Sequence, residues 1–203
     1  CCRVFESMKA VIMAGGKGVR LKSISRGPKI LTEIKGRTVL DYQLQVLIKS
    51  GITSVTFCLG YKSDMVIDYL NLKKYDGIEI DYIIESEPLG TAGALKQLGD
   101  LGSIFLLIYG DLIFDIDIGR FVDYHYRKGG MGTLYVHPND HPYDSDVVEY
   151  NEIGLINAII KKGTLTGNYS NCVNSGIYIF KSQILDYISR QKTDLVNDLI
   201  PHL

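Results

Sequence analysis

The sequence has almost no net charge, no long apolar run and only four cysteines. A formal net charge of −1 over 203 residues gives no global basic field for nucleic acid, and no polybasic cluster indicates a membrane surface. No apolar run reaches the roughly 18 to 20 residues that span a bilayer, and the opening segment lacks the apolar stretch of a secretory signal. We therefore expect a cytoplasmic protein that holds any bound anion through local groups.

The cysteines are scattered as Cys1, Cys2, Cys58 and Cys172, without the C-x-x-C spacing that would indicate a zinc site. Buried thiols are the expected state for those inside apolar runs. Residues 1–7 precede a natural-looking start at Met8, so we interpret them as a non-native or upstream extension.

Short β-rich apolar runs alternate with helical patterns over the first two thirds of the chain. The runs KAVIMA, SVTFCLG, IEIDYII and SIFLLIY predict strands, and VLDYQLQVLIKSG, SDMVIDYLNL and TAGALKQLG predict helices between them. This alternation is typical of an α/β fold with a mostly parallel, Rossmann-like sheet. After about residue 130, a strand, a hairpin and a further strand predict a mixed half. We expect one domain over residues 8–203, with a change of role near residue 130 and no separable second domain.

The stretch VIMAGGKGVR places a glycine-rich loop directly after the first predicted strand. Ligands of open parallel sheets bind at the carboxyl ends of the strands, and glycine backbone N–H groups can point at phosphate oxygens. The P-loop pattern fails because Gly18 is followed by Val19 and Arg20 rather than G-K-[ST]. The dinucleotide pattern fails because Leu21 stands where a third glycine is needed. A loop that merely turns the chain remains an alternative on glycine content alone.

Four motifs in order resemble the sugar-1-phosphate nucleotidylyltransferases. They are MAGGKGVRLKSISRGPKILTEIKGRTVLDY, ESEPLGTAGAL, YGDLIFD and VNSGIYIF, which together extend over nearly all of residues 8–203. Within that family the sequence is most similar to mannose-1-phosphate or heptose-1-phosphate guanylyltransferases. The resemblance implies an enzyme that joins a sugar 1-phosphate to a nucleoside triphosphate, with GTP favoured, and releases pyrophosphate. It implies a nucleotide-binding half over residues 8–130 and a sugar-binding half over residues 131–203. It also implies a role in nucleotide-sugar supply for lipopolysaccharide, capsule or other glycan synthesis.

The resemblance assigns the reacting phosphates to Arg20 and Lys29, and Mg²⁺ to Asp111. This suits phosphoryl chemistry, in which positioning and electrostatic stabilisation do most of the work. Arginine offers a planar fork of donors to phosphate, and a carboxylate is a hard ligand for Mg²⁺. Lys29 could instead be a solvated loop lysine. The family pattern continues past the equivalent of Leu203 to a further metal-binding aspartate, so we expect Asp111 to hold the metal weakly within these 203 residues.

The resemblance places the nucleotide against the glycine loop and the EPLGTAG turn. The nucleotide-binding set is Ala14, Gly15, Gly16, Gly18, Val19, Glu85, Pro88, Gly90 and Thr91. Glu85 stands where thymidine-using relatives carry glutamine. A carboxylate only accepts, so it suits the two adjacent donors of guanine and predicts GTP over ATP. Glu85 facing solvent is the alternative, and Gly90 is expected to let the base lie against backbone.

The sugar phosphate is assigned by resemblance to Gly110, Asp146, Lys161, Lys162 and Asn174. Asp146 replaces a family glycine and Lys161 replaces the glutamate of a Glu-Lys pair, so the sugar floor is expected to differ. Asn174 could instead satisfy backbone at a strand edge. We interpret Asp115 and Asp117 as helix-start acids. The loop HPNDHPYDSD is interpreted as facing substrate rather than binding metal, since its prolines prevent a helical ligand face.

Two other functions remain to be tested. A regulatory homologue that binds nucleotide without turnover is favoured by Lys161 and opposed by Arg20, Lys29 and Asp111. A dinucleotide-dependent oxidoreductase is disfavoured by the glycine spacing. A homo-oligomer is possible; nucleic acid and membrane partners are not expected.

Overall fold

The computed structural model describes residues 8–16, 27–87, 89–164, 169–188 and 192–203. The strands are β1 (Lys9–Ala14), β2 (Glu33–Ile34), β3 (Arg37–Thr38), β4 (Ser54–Leu59), β5 (Glu79–Ile84), β6 (Ile104–Tyr109), β7 (Gly132–Pro138), β8 (Val147–Tyr150), β9 (Ile156–Ile160) and β10 (Cys172–Lys181). The α-helices are α1 (Val39–Lys49), α2 (Ser63–Leu72), α3 (Gly90–Gly93) and α4 (Ile118–Lys128). None of the helices in these ranges is long and apolar enough to cross a membrane.

One eight-stranded sheet runs through both halves of the chain. Its order is β5-β4-β1-β6-β10-β8-β9, and β7 also pairs with β10. Strands β5, β4, β1 and β6 are parallel, whereas β10 is antiparallel to β6, β7 and β8. The predicted α/β fold, with a parallel first half and a mixed C-terminal half, is confirmed. The small β2–β3 hairpin lies outside this sheet.

Alternate residues of the central strands pack on opposite faces of the sheet, as the two-residue period of a strand requires. On β1, Ala10 and Ile12 join the core formed with α1, α2 and α4. Val11, between them, joins the second core, which α3 and the C-terminal turns complete. Both faces of the sheet are therefore covered at β1, β4 and β6, which explains why these strands read as largely apolar runs, whereas the edge strand β5 is mostly exposed.

Helix α1 follows the sequence pattern closely. Thr38 caps it, with its hydroxyl accepting from the backbone N–H of Asp41, whose carboxylate accepts in turn from the backbone N–H of Thr38. This reciprocal capping satisfies two donors that a helix start leaves unpaired. Leu40, Leu44 and Leu47 are fully buried on the core face. The helix ends at Lys49, and Gly51, at φ 78°, follows its C-cap residue Ser50.

The helix predicted from TAGALKQLG is much shorter than expected. Only Gly90–Gly93 is α-helical, and Ala94–Gln97 continues as a 3₁₀ turn. The backbone N–H groups of Ala92 and Gly93 donate to the carbonyl of Thr193, at 3.0 and 3.3 Å. The segment around Thr193 therefore accepts hydrogen bonds from the N–H groups of this short helix. Local sequence periodicity cannot predict a long-range contact of this kind.

Asp41 is also the centre of a polar cluster between α1 and α2. Its carboxylate accepts from the hydroxyls of Tyr69 (2.6 Å) and Tyr75 (2.7 Å) and from the ammonium of Lys73 (2.7 Å). Although burial acts to raise the pKa of the Asp41 carboxyl, the bonds from Lys73, Tyr69 and Tyr75 hold that pKa well below its ordinary value. The cluster therefore ties the two helices together through an ionised group.

We expect Asp41→Asn to destabilise the fold in a pH-dependent way. A carboxyl whose pKa is lowered on folding stabilises the protein above its unfolded pKa of about 3.9, and that stabilisation is lost as the pH falls through the folded pKa. At neutral pH the variant should lose about 1 to 2 kcal/mol, a range discounted for the exposure of Lys73. Urea unfolding over a pH series measures the difference, which should shrink below about pH 4.

Asp68→Asn, an equivalent change at an exposed position of α2, is the matched control and should leave stability nearly unchanged. A constant difference between wild type and Asp41→Asn from neutral to acid pH would contradict the assignment of an ionised, hydrogen-bonded carboxylate.

Candidate active site

Three glycines allow the carboxyl ends of neighbouring parallel strands to approach each other. Gly15 follows β1, Gly60 follows β4 and Gly110 follows β6. A Cβ on Gly60 would lie 2.8 Å from the carbonyl oxygen of Gly15, and one on Gly110 would lie 3.0 Å from the Cβ of Ala14. Any side chain at Gly60 or Gly110 would thus force the backbones apart. Gly16, by contrast, is exposed and has open space around its Cβ position.

Lys29 and Asp111 form an ion pair at this edge, although 82 residues separate them. The Lys29 Nζ lies 2.8 Å from Asp111 Oδ2, and the two side chains are 33% and 44% exposed. Pro28, in an extended conformation, precedes the 3₁₀ turn Lys29–Leu31. Asp111 comes two residues after the end of β6. The structure therefore brings together a cation and a carboxylate that the sequence assigned to the reacting phosphates and to the metal.

Gln43 braces the turn that carries Asp111. Its side-chain Nε2 donates to the carbonyls of Tyr109 (2.9 Å) and Leu112 (2.8 Å), which flank Asp111 in the chain. Gln43 is 1% exposed, and its Oε1 has no partner in the described structure. Sequence reasoning missed this residue. The available signal was a glutamine on the otherwise apolar face of α1.

Glu85 points into the glycine-rich edge and does not face open solvent. A Cβ on Gly15 would lie 2.7 Å from its Oε1, and its Oε2 accepts from the backbone N–H of Leu89 at 3.2 Å. Burial raises the pKa of the Glu85 carboxyl, while the Leu89 bond opposes that rise. A half-buried acceptor therefore lies beside the glycine loop, where the sequence placed the base.

Gly90 and Thr91 support the C-terminal segment. Gly90 has φ 80°, and a Cβ there would lie 2.4 Å from the carbonyl oxygen of Thr193. The Thr91 hydroxyl donates to Asp194 Oδ2 at 3.0 Å and accepts from the backbone N–H of Leu195 at 2.7 Å. The space above Gly90 is therefore filled by backbone, which differs from the expected role of admitting a base.

Asp146 and Asn174 meet where β8 and β10 begin to pair. The backbone N–H of Asn174 donates to the carbonyl of Asp146 at 2.9 Å, and Asp146 Oδ1 accepts from the backbone N–H of Lys162 at 3.0 Å. Lys161 and Lys162 are exposed just after β9. The residues that the sequence assigned to the sugar thus share one corner of the sheet, next to the end of β6.

Asp117, after β6, and His141, in the histidine-rich loop, have local partners. Asp117 caps α4, its Oδ1 accepting from the backbone N–H of Arg120 at 3.0 Å, as predicted. In the loop 137–146, His141 Nδ1 hydrogen-bonds to the Tyr143 hydroxyl at 3.1 Å. Within the described ranges no cluster of three or more His, Cys, Asp or Glu side chains is placed to hold a metal ion. Gly18, Val19, Arg20 and Pro88 lie outside the described residues.

This edge of the sheet brings together the closely packed glycines Gly15, Gly60 and Gly110, the Lys29–Asp111 ion pair, and the polar side chains of Glu85 and Asn174. Glycines allow close approach of a ligand to backbone N–H groups. An ammonium such as that of Lys29 can contact phosphate oxygens, and a carboxylate such as that of Asp111 can bind a divalent cation. Asn174 and Glu85 contribute neutral and acidic groups on either side. Such a site suits a ligand that carries phosphate between two hydrogen-bonding ends.

Comparison with known proteins agrees with this geometry. Residues 9–203 match the nucleotidyl transferase family. The chain is 32% identical over 96% of its length to the mannose-1-phosphate guanylyltransferase catalytic subunit beta of Dictyostelium discoideum, and covers 55% of that protein. It is 34% identical to mannose-1-phosphate guanyltransferase beta-A of Xenopus laevis, with the same coverage of 96% and 55%. The chain therefore spans about half the length of the curated relatives it matches.

Solved structures give a closer match in length. The crystal structure of HddC from Yersinia pseudotuberculosis superposes with a TM-score of 0.82 at 30% identity, covering 97% of this chain and 86% of HddC. HddC complexed with GMP-PN superposes equally well, at 29% identity. The matched family accounts for nearly the whole chain, including both halves of the sheet and the glycine-rich edge. The chain belongs to the nucleotidyl transferase family.

Proposed function

We propose that this chain catalyses nucleotidyl transfer to a sugar 1-phosphate. An oxygen of the sugar phosphate attacks the α-phosphorus of a nucleoside triphosphate, the bond from that phosphorus to the bridging oxygen breaks, and pyrophosphate leaves. The observation that carries the proposal is the Lys29–Asp111 pair, which lies beside the glycine loop at the carboxyl edge of the sheet. No enzyme nucleophile is needed, because positioning and charge stabilisation supply the catalysis.

Lys29 and Asp111 have complementary roles in this reaction. The Lys29 ammonium is partly exposed beside its carboxylate partner, so it is open to a ligand and is the proposed contact for substrate phosphate. By family resemblance Arg20 provides a second cation. Gln43 holds the carbonyls on both sides of Asp111, so the carboxylate stands on a braced turn. Fixed charges of this kind stabilise a transition state with little reorganisation at the moment of reaction.

Asp111 suits Mg²⁺ as one protein ligand. It is a partly exposed hard-oxygen donor next to a phosphate-binding cation, and Mg²⁺ near phosphates uses one or two carboxylates, with phosphate oxygens and water completing its shell. When bound there, Mg²⁺ would neutralise charge that develops on the phosphates.

A guanine nucleotide is the proposed donor. Glu85 is a half-buried acceptor against Gly15, and guanine offers its ring N–H and exocyclic amine as two adjacent donors. The names of the Dictyostelium and Xenopus relatives, which are guanylyl- or guanyltransferases, support the same choice. Mannose 1-phosphate is the proposed acceptor, with heptose-type sugars the nearest alternative, and Asn174, Asp146, Lys161 and Lys162 are the proposed sugar-side residues.

A panel of four nucleoside triphosphates crossed with several sugar 1-phosphates tests the proposal. We expect pyrophosphate release with GTP and mannose 1-phosphate, or with a heptose 1-phosphate, to exceed that with the other pairs. Because phosphate groups are common to all pairs, the ranking reports the base and sugar contacts. GTP binding without pyrophosphate release from any sugar phosphate would favour a regulatory homologue and contradict the proposal.

Replacing either member of the ion pair should reduce turnover strongly. Lys29→Ala should cost roughly 10²-fold, in line with the loss of one preorganised charge donor, with little change in folding. Asp111→Asn keeps the shape but loses the charge, so most Mg²⁺-dependent activity should disappear. Steady-state pyrophosphate release measures both variants. Lys49→Ala, which removes an exposed lysine at the C-terminal end of α1, is the control. Near-normal turnover in both ion-pair variants would overturn the phosphate assignment.

Glu85 should set the preference for the base. Adenine presents an unprotonated ring nitrogen beside its amine, so an ionised carboxylate there would meet a lone pair. We expect kcat/KM to favour GTP over ATP by roughly 5- to 150-fold, and Glu85→Gln to shrink that ratio. Glu79→Gln, the same change at the exposed beginning of β5, should not alter it. Equal kcat/KM for GTP and ATP in the unmutated protein would remove the base-reading role.

A further inference from the structure

The amide of Asn174 is held in one orientation by its own strand. Its Nδ2 donates to the hydroxyl of Tyr178 at 2.7 Å, and its Oδ1 accepts from the backbone N–H of Gly176 at 3.2 Å. A flipped amide would place an N–H against the N–H of Gly176, so the hydrogen-bond partners determine the orientation. Among the described residues these are the side-chain partners of the half-buried Asn174, which leaves one N–H and one oxygen lone pair for a ligand.

The ring of Tyr178, whose hydroxyl accepts from Asn174, is held by aromatic neighbours. Tyr178 is completely buried, and its ring meets that of Tyr109 edge to face with centroids 5.8 Å apart. The same ring stacks on that of Phe180, with centroids 5.4 Å apart. These contacts fix the position of the hydroxyl that accepts from Asn174 Nδ2.

Burying the Tyr178 hydroxyl has a desolvation cost that packing of the ring alone does not explain. A buried hydroxyl needs partners to offset its desolvation, and phenylalanine would fill nearly the same space at this position without that requirement. The hydroxyl of Tyr178 does act on one group that reaches the ligand-binding edge, namely the amide of Asn174. Gly176, at φ 80°, lets the strand bend against the Tyr109 ring so that this contact forms.

We propose that Tyr178 is a positioning residue for sugar recognition, fixing the Asn174 amide through its buried hydroxyl. The inference rests on the proposed function, which assigns Asn174 to the sugar 1-phosphate. Tyr178 does not touch substrate. It sets which end of the amide donates and which accepts, and thereby which sugar hydroxyl pattern the site favours.

The test is a double-mutant cycle on KM for the sugar 1-phosphate. Tyr178→Phe should raise KM for mannose 1-phosphate about 5- to 10-fold, the worth of one oriented hydrogen bond, and change KM for GTP less than twofold. In an Asn174→Ala background the same substitution should have no further effect, because the group it positions is gone. Tyr126→Phe, the same chemical change at an exposed position, is the matched control.

The outcomes separate this inference from the function on which it rests. If the wild type fails to release pyrophosphate with every sugar 1-phosphate tried, the proposed function and the positioning role are both overturned. If the wild type is active and Tyr178→Phe has unchanged KM, only the positioning role is overturned. The positioning role is also overturned if Tyr178→Phe raises KM by the same factor in the wild-type and Asn174→Ala backgrounds. That result would indicate general loosening of the core. Thermal unfolding of each variant checks that the fold is intact.

Discussion

The close contact between the carboxyl ends of β1, β4 and β6 is the constraint on which the site depends. Gly60 and Gly110 have no room for a side chain against the backbone or Cβ atoms at the end of β1. Because these strand ends converge, Glu85 and Asp111 emerge on either side of the glycine loop. A Cβ at Gly60 or Gly110 would separate the strands, and the spacing between the proposed base and metal groups would change with them.

The larger elements could be predicted because their apolar patterns are local. The strands β1, β4, β5 and β6 and the helices α1 and α2 fall where the sequence places them. The short length of the helix that begins at Gly90 could not be predicted, because the backbone N–H groups of Ala92 and Gly93 donate to the carbonyl of Thr193, about a hundred residues away. A position whose partners lie in another segment has no signature in its own neighbourhood.

The same distinction applies to the site. Lys29 and Asp111 could be proposed from motifs, and the structure joins them across 82 residues. Gln43 stands in an apolar helical stripe, and Tyr178 reads as one more core residue in VNSGIYIF. In each residue a buried polar atom forms hydrogen bonds that only the folded structure reveals. Sequence reasoning identifies groups exposed to a ligand more readily than the buried groups that hold them.

Tyr109 connects these buried groups. Its carbonyl accepts from Gln43, its ring packs over Gly176, and the same ring meets that of Tyr178 edge to face. One residue at the end of β6 therefore contacts the side chain that braces the turn of Asp111, the strand bend beside Asn174 and the ring whose hydroxyl accepts from Asn174. Because β6 is also where the parallel and antiparallel parts of the sheet meet, the two halves of the proposed site are held in register by the strand that joins the two halves of the fold.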